Sequence, residues 1–222
     1  MMRPGMRKVL FTRHGNTFAP GEKVVWVGLR SDLPLVAKGL DQARLFGEAV
    51  RAAGLAVGPL RSGPLKRTRE YLRVAFDAAP EIDDRLAEID YGKWEGRTTD
   101  DVAAEVGAEM VEAWSKRGVW PRLQGWKPDL DKLEANIGEV IADLAAMTET
   151  TIPVICTSQG ILKFVAKRDA EFHARGLSQA DGKGMAVATG SCCGVSIDSG
   201  RLRVDFWNEA PIPARLKTWA EA

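Results

Sequence analysis

The sequence predicts an α/β fold, a three-layer α/β/α sandwich with a mostly parallel central sheet. Short apolar segments typical of buried strands alternate along the chain with segments of helical periodicity. Two of these strands, residues 7–12 and 151–157, run into polar residues that are followed by a glycine. In an open α/β sheet, residues at the carboxyl ends of the strands are the ones that meet ligands.

The remaining elements follow from periodicity and from turn residues. Helices are expected at 38–53, from Pro64 to about 78, in two weaker pieces within 99–117, at 129–147 and directly after 158; strands are expected at 7–12, 56–64 and 151–157, with a hairpin at 190–208 that turns at Ser199-Gly200. The apolar face of the first helix would contain Leu40, Ala43, Leu45, Phe46, Ala49 and Val50. The whole chain, 1–222, is expected to form one domain, with residues 99–128 as a small helical cap over the edge of the sheet.

Composition excludes several classes of protein. The formal net charge is +1, which is typical neither of a general nucleic-acid-binding protein nor of one that binds a membrane surface. No segment approaches the ~20 apolar residues of a membrane span, and the amino terminus does not resemble a signal peptide. We therefore expect a cytoplasmic protein, with Met6 as an alternative functional start. The three cysteines lack metal-ligand spacing, so no metal and no cofactor are expected.

Four segments carry candidate site residues, and all four suit an anion. Arg13 and His14 follow the first strand, and Gln159 and Gly160 open a helix whose free N–H groups favour negative charge. Arg67 lies early in another helix, and an arginine fork suits bidentate phosphate binding. Glu88 precedes a Tyr-Gly turn. A single histidine is more often a packed residue, and a single charged residue on a helix is more often a solvated charge. The prediction of an anion site therefore depends on the combination of the four segments.

Five sequence blocks, in order, resemble the histidine phosphatase superfamily, which includes phosphoglycerate mutases and broad-specificity phosphatases. The first block, RHGNT at 13–17, is similar to the family's Arg-His-Gly signature. The others are SDLPLVAKGLDQA at 31–43, SGPLKRTRE at 62–70, RLAEIDYGKWEGRT at 85–98 and DFWNEAP at 205–211. The resemblance spans most of the chain and implies a phosphoglycerate mutase-like fold.

The resemblance also implies roles for individual residues. His14 would be the nucleophile that accepts a phosphoryl group, with its pKa lowered by neighbouring arginines. Glu88 would donate a proton to the leaving oxygen, and Glu95 would be a structural residue of the loop. The phosphate group would be held by Arg13, Asn16, Arg67, Gln159 and Gly160. The implied activity is phosphomonoester hydrolysis through a phosphohistidine on His14, on a small phosphorylated metabolite.

Two departures from the family pattern modify that expectation. The family carries a second histidine where this chain has Gln159, which can donate a hydrogen bond but cannot carry charge. Losing one preorganised stabiliser typically costs ~10²–10³ in rate, so we expect weakened catalysis. A mutase would carry an arginine directly after the acidic residue, but Glu88 is followed by Ile89, so a phosphoglycerate mutase is not expected.

Two alternative functions stay open. The chain could be an impaired family member that binds a phosphorylated ligand or partner as a sensor or scaffold, or it could transfer the phosphoryl group to an acceptor other than water. Trp26 and Arg30 are substrate-loop candidates, and Trp94, Trp120 and Trp126 suggest an aromatic mouth. A monomer or a homodimer is expected.

Overall fold

A six-stranded mixed sheet forms the centre of the computed structural model, which describes residues 6–122, 124–178 and 185–222. Its strands are β1 (Met6–Arg13), β2 (Val57–Ser62), β3 (Glu81–Ile82), β4 (Ile152–Thr157), β5 (Cys192–Asp198) and β6 (Arg201–Glu209). The order across the sheet is β3-β2-β4-β1-β5-β6. Strands β1 to β4 are parallel, and β5 alone runs antiparallel to both of its neighbours. The predicted α/β class is confirmed.

Eight α-helices lie in the described part of the chain. They are α1 (Ala37–Ala52), α2 (Lys66–Phe76), α3 (Thr99–Val106), α4 (Ala108–Arg117), α5 (Leu130–Ala146), α6 (Gln159–Ala166), α7 (Ala170–Ser178) and α8 (Pro213–Glu221). Two short 3₁₀ helices, Asp84–Leu86 and Gly92–Trp94, lie between β3 and α3.

The sheet has a hydrophobic core on each face, and β1 shows how the sequence divides between them. Its side chains alternate, so Val9 and Phe11 join one core while Leu10 joins the other. The first core contains the apolar stripe of α5, and the second contains the buried faces of α1, α2 and α8. This division produces the three layers.

Two expectations about elements were wrong, and one helix was missed. Leu45 is 60% exposed, because the apolar stripe of α1 is narrower than its composition indicates. The single helix expected after residue 158 is two helices, separated at Asp169. The Asp169 carboxylate accepts hydrogen bonds from the amides of Phe172 and Val204, both at 2.9 Å, which starts α7 and fixes it to β6. Helix α8 was not predicted.

An aromatic cluster joins α4 to the sheet. Its rings meet mostly edge to face at centroid distances of 4.8–6.3 Å and belong to Trp26, Tyr91, Trp94, Trp114, Trp120, Trp126 and Phe164. Trp94 and Trp126 are buried, with 1% and 5% of their surface exposed, so they contribute to packing rather than to a mouth. Trp120 packs against the same core.

Candidate active site

A cavity of about 940 Å³ opens at the carboxyl ends of β1 and β4. Seven of the residues singled out from the sequence line it: Arg13, His14, Asn16, Trp26, Arg67, Glu88 and Gln159. They come from five separate parts of the chain, and the sheet topology brings them together. Gly160 and Arg30 are not among the lining residues.

His14 has a buried imidazole with one ring nitrogen already engaged. Its Nδ1 lies 2.8 Å from the carbonyl oxygen of Gly15, which can only accept, so Nδ1 carries the proton in that bond. The neutral ring then has its lone pair on Nε2. Burial lowers the pKa of His14 well below its usual value, and the charges of Arg13 and Arg67 lower it further. The ring is thus held in its neutral form at physiological pH.

The imidazole is positioned by a close approach between two glycines. A Cβ on Gly15 would lie 2.5 Å from the carbonyl oxygen of Gly39, and one on Gly39 would lie 2.3 Å from that of Asn16. The start of α1 can therefore pack directly on the segment that follows β1. The Asn16 amide donates to Gln42 of α1 at 2.8 Å, and its side-chain oxygen accepts from Thr189.

Two arginines bring positive charge to the cavity. Arg67 is 1% exposed and donates to the carbonyl oxygens of Ser31 and Gly28 at 2.7 and 3.3 Å. Arg13 donates through Nη1 to the carbonyl oxygen of Val187 at 2.7 Å, while its buried Nε has no hydrogen-bond partner among the described residues. A buried donor without a partner is rare and is the kind of group that an anion satisfies.

The Glu88 carboxyl group is buried between backbone amides. It accepts from Ile89 at 2.9 Å and from Gly160 at 3.1 Å. Burial raises its pKa above the usual value, although these hydrogen bonds and Arg67 act in the opposite direction. The carboxyl group is therefore suited to carry and release a proton. The Gly160 amide serves this carboxylate here, which differs from the phosphate contact expected of it.

Gln159 makes two contacts with the segment across the cavity. Its side-chain oxygen accepts from the Val187 amide at 2.8 Å, and its side-chain nitrogen donates to the carbonyl oxygen of Met185 at 3.1 Å. Both groups of the side-chain amide thus fix residues 185–187. That segment includes the carbonyl group that holds Arg13.

The two substrate-loop candidates lie in different surroundings. Trp26 lines the cavity and packs against Tyr91 and Trp94. Arg30 lies outside it, with Nε 3.0 Å from a carboxylate oxygen of Asp90. Glu95 also lies outside the lining, where its carboxylate accepts from the Ser31 hydroxyl at 2.9 Å and from the amides of Tyr91 and Arg30 at 3.3 and 3.4 Å.

Tyr91, Trp114 and Lys163 are among the lining residues that sequence reasoning missed. Tyr91 lies beside Glu88. Burial raises the pKa of the Tyr91 hydroxyl group, and the charge and hydrogen bond of Glu88 raise it further. Lys163 is 2% exposed and lies four residues after Gln159 on α6. A lysine within the otherwise apolar stretch ILKFVA was the available signal.

Within residues 6–122, 124–178 and 185–222, no group of three or more His, Cys, Asp or Glu side chains is arranged to hold a metal ion. The same part of the chain contains no helix with the length and apolar character needed to cross a bilayer. What the cavity can do is bind a small dianion between two arginines, beside a neutral imidazole and a carboxyl group of raised pKa.

The fold is that of an α/β protein, and the cavity has the cationic lining that suits a phosphate group. Residues 9–210 match the histidine phosphatase superfamily (branch 1), and the chain belongs to this family. It is 31% identical to a probable phosphoglycerate mutase GpmB from Enterobacter sp. over 162 residues. These residues cover 70% of this chain and 71% of that protein. The corresponding Salmonella arizonae protein is 32% identical over 145 residues, 65% of this chain and 64% of its own.

Solved structures share the fold at lower identity. Mycobacterial hydrolase 1 superposes with a TM-score of 0.71 at 20% identity and covers 92% of this chain and 99% of its own. A mycobacterial glucosyl-3-phosphoglycerate phosphatase gives 0.69 at 21%, covering 92% and 99%. A putative alpha-ribazole-5'-P phosphatase from Escherichia coli gives 0.67 at 20%, covering 93% and 98%.

Proposed function

We propose that this protein is a phosphomonoester hydrolase that acts on a small phosphorylated metabolite through a phosphohistidine on His14. The observation that carries the proposal is the state of the His14 ring. Its Nδ1 is engaged by Gly15 and its pKa is lowered by burial and by two arginines, which leaves Nε2 free to attack. Phosphoryl transfer needs mainly such positioning and positive charge.

The proposed reaction has two steps. Nε2 of His14 attacks phosphorus, the ester P–O bond breaks, and protonated Glu88 gives its proton to the leaving oxygen. A water molecule then gives a proton to Glu88 and attacks the phosphoryl group, so the P–N bond breaks and inorganic phosphate leaves. Arg13, Arg67 and Asn16 would bind the phosphoryl oxygens throughout. The raised pKa of Glu88 supports its role as acid and base.

Gln159 is proposed to stand where the family carries its second histidine, and to weaken catalysis without abolishing it. Because both groups of its side-chain amide bind residues 185–187, it keeps the cavity wall in place. It supplies no charge to the transition state, and the expected loss is ~10²–10³ in rate.

We infer a phosphatase rather than a phosphoglycerate mutase, although the curated relatives bear the mutase name. A mutase binds a substrate carboxylate and a second phosphate, which requires further cations. The outer wall of this cavity is largely apolar and includes Phe18, Val24, Val25 and Val27. Of the residues that line the cavity, Lys38 is the exposed cation, and it lies at the start of α1. A monomeric or homodimeric cytoplasmic enzyme remains part of the proposal.

A second function is favoured by one observation, the hydrogen bonds that occupy Gln159. An impaired member that binds a phosphorylated ligand or partner would keep the arginines and the shape of the cavity. It would have no use for a neutral histidine beside a carboxyl group of raised pKa, which is why hydrolysis ranks first. Transfer to another acceptor ranks third and would appear as phosphoenzyme without matching turnover.

The test is phosphate release from a broad panel of phosphomonoesters, in the presence of a chelator, together with phosphoenzyme trapping by rapid acid quench. We expect slow turnover that His14→Ala removes together with the labelled intermediate. Arg30→Ala is the matched control, because Arg30 lies outside the cavity. Turnover that survives in His14→Ala would overturn the proposal, and binding of phosphate without turnover would support the second function. Conversion of 3-phosphoglycerate to 2-phosphoglycerate would overturn the exclusion of a mutase.

A further inference from the structure

Lys163 is a buried cation of the cavity to which the proposed chemistry assigns no role. It lies on α6, one helical turn after Gln159, and both side chains line the cavity. Residues four apart lie on the same face of a helix, so Lys163 occupies the face that Gln159 presents to the site. Only 2% of its surface is exposed.

The ammonium group of Lys163 is held without a counter-ion. Nζ donates to the carbonyl oxygens of Trp114 and Ser115, both at 2.7 Å, and lies 4.6 Å from the centroid of the Trp114 ring. Among the described residues, no carboxylate lies within 4.0 Å of it. An ammonium group has three N–H donors, so one stays available for a ligand. An uncompensated buried charge is costly, and an anion in the cavity would relieve that cost.

The charges around Lys163 link it to the site. Burial lowers its pKa to about 7, while the Glu88 carboxylate raises it and the charges of Arg13 and Lys167 lower it. Glu88 and Arg13 line the same cavity, so Lys163 lies within electrostatic reach of the anion site. The other titratable or charged residues that line the cavity are His14, Tyr91, Arg67, Glu22 and Lys38. His14 stays neutral near pH 7 because its pKa is lowered.

We propose that Lys163 binds the anionic group of the substrate as the third cation of the cavity, in addition to Arg13 and Arg67. The proposal rests on the cavity identified above as the phosphate site. A dianion would favour the charged form of Lys163, so binding would take up a proton near neutral pH. Lys163 would thereby strengthen ligand binding at neutral pH and less so in alkali.

A structural role for Lys163 alone is the rival explanation, and the chain provides a matched control for it. Lys167 lies one turn further along and donates to the carbonyl oxygen of Gly118 at 2.8 Å, at the end of the same helix α4. Its Nζ also lies over an aromatic ring, that of Phe164, at 4.4 Å. It does not line the cavity. Removing either lysine loosens α4, but only Lys163 can change the binding of an anion directly.

The experiment is calorimetric titration of sulfate into the native protein, Lys163→Met, Lys163→Arg and Lys167→Met. Sulfate keeps two charges between about pH 6 and about pH 9, so a proton taken up on binding is taken up by the protein rather than by the ligand. Titration in buffers of different ionisation enthalpy measures that uptake. Circular dichroism and thermal unfolding establish that each variant is folded.

We expect Lys163→Met to bind sulfate about tenfold or more weakly at about pH 6, the effect of one charge-assisted contact. Its affinity should also fall less towards about pH 9 than that of the native protein. Lys163→Arg should bind well throughout, because its charge does not titrate. Lys167→Met should bind as the native protein does.

Native affinity and proton uptake in Lys163→Met would overturn the inference, as would an equal loss in Lys167→Met. If Lys163→Met does not fold, a native pH dependence in Lys163→Arg would overturn it instead. The proposed function fails separately, because sulfate binding does not require turnover. Lys163-dependent binding of sulfate without hydrolysis would support the inference and contradict the proposed hydrolase. His14-dependent hydrolysis with unchanged sulfate binding in Lys163→Met would support the hydrolase and contradict the inference.

Discussion

Replacing Gly160 with alanine should displace the Glu88 carboxyl group and slow the reaction. A Cβ at this position would lie 2.3 Å from a carboxylate oxygen of Glu88, 2.7 Å from the Tyr91 hydroxyl oxygen and 2.9 Å from a methyl carbon of Ile89. Ordinary van der Waals contact begins at 3.4 Å, so the carboxylate must move by about 1 Å. The movement breaks its hydrogen bond with the Gly160 amide, now 3.1 Å long.

The size of the effect follows from those distances. A hydrogen bond to a charged group contributes about 1.5–3 kcal/mol, and alanine recovers about 1 kcal/mol of helix propensity over glycine. Gly160→Ala should therefore lower the free energy of unfolding by about 0.5–2 kcal/mol. A displacement of about 1 Å at a reacting group costs about 10²-fold, so kcat should fall by that factor.

The assay is urea unfolding together with kcat on the best substrate of the panel. Gly47→Ala is the matched control, because a Cβ there would lie 1.9 Å from the carbonyl oxygen of Ala75, in the layer formed by α1 and α2. It should destabilise the protein and leave kcat of the folded enzyme unchanged. Native stability and kcat in Gly160→Ala would refute the reasoning, and an equal loss of kcat in both variants would show that stability, not position, is the cause.

Three further predictions concern pH and stability. Because the mechanism needs neutral His14 and protonated Glu88, kcat/KM should fall in acid as His14 gains its proton and in alkali as Glu88 loses its own; a pH–rate profile of Glu88→Gln should show a smaller alkaline fall than that of the native protein. Asp169→Ala should lose about 2–3 kcal/mol of unfolding free energy in urea, because the amides of Phe172 and Val204 lose their acceptor. Leu45→Lys should change it by less than about 0.5 kcal/mol, since Leu45 is exposed.

The general position of the site was predictable because topology, rather than side-chain detail, determines it. Parallel strands place their carboxyl ends along one edge of the sheet, so the polar residues after β1 and β4 had to meet. Arg13 and Thr157, the last residues of β1 and β4, pair with each other in the sheet, as this rule predicts. The sequence could thus indicate that His14 and Gln159 face one cavity without giving any distance.

Residues whose positions depend on a second layer were not predictable. The aromatic rings near the cap could equally have lined a mouth or packed together, and the edge-to-face contacts of Trp126 with Trp94 and Trp114 decide the question. Arg30 was expected at the substrate loop, but Asp90 binds it outside the cavity. Lys163 was missed because a single charge in an apolar helix gives no hint of which neighbour buries it.

The last prediction concerns Gln159→His, a substitution that adds a positive charge and removes one of the two hydrogen bonds that Gln159 makes. Gln159 accepts from the Val187 amide, and the Val187 carbonyl oxygen accepts from Arg13, so Gln159 positions an arginine of the site through one intervening residue. A histidine can keep one of the two contacts with Met185 and Val187 but not both, a loss of about 1 kcal/mol or about fivefold. Restoring a charged donor at the transition state is worth ~10²–10³. The gain from the charge exceeds the loss of the hydrogen bond, so Gln159→His should raise kcat by about 20- to 200-fold in steady-state assays. A lower kcat would mean that the position of Arg13, rather than the missing charge, limits the reaction.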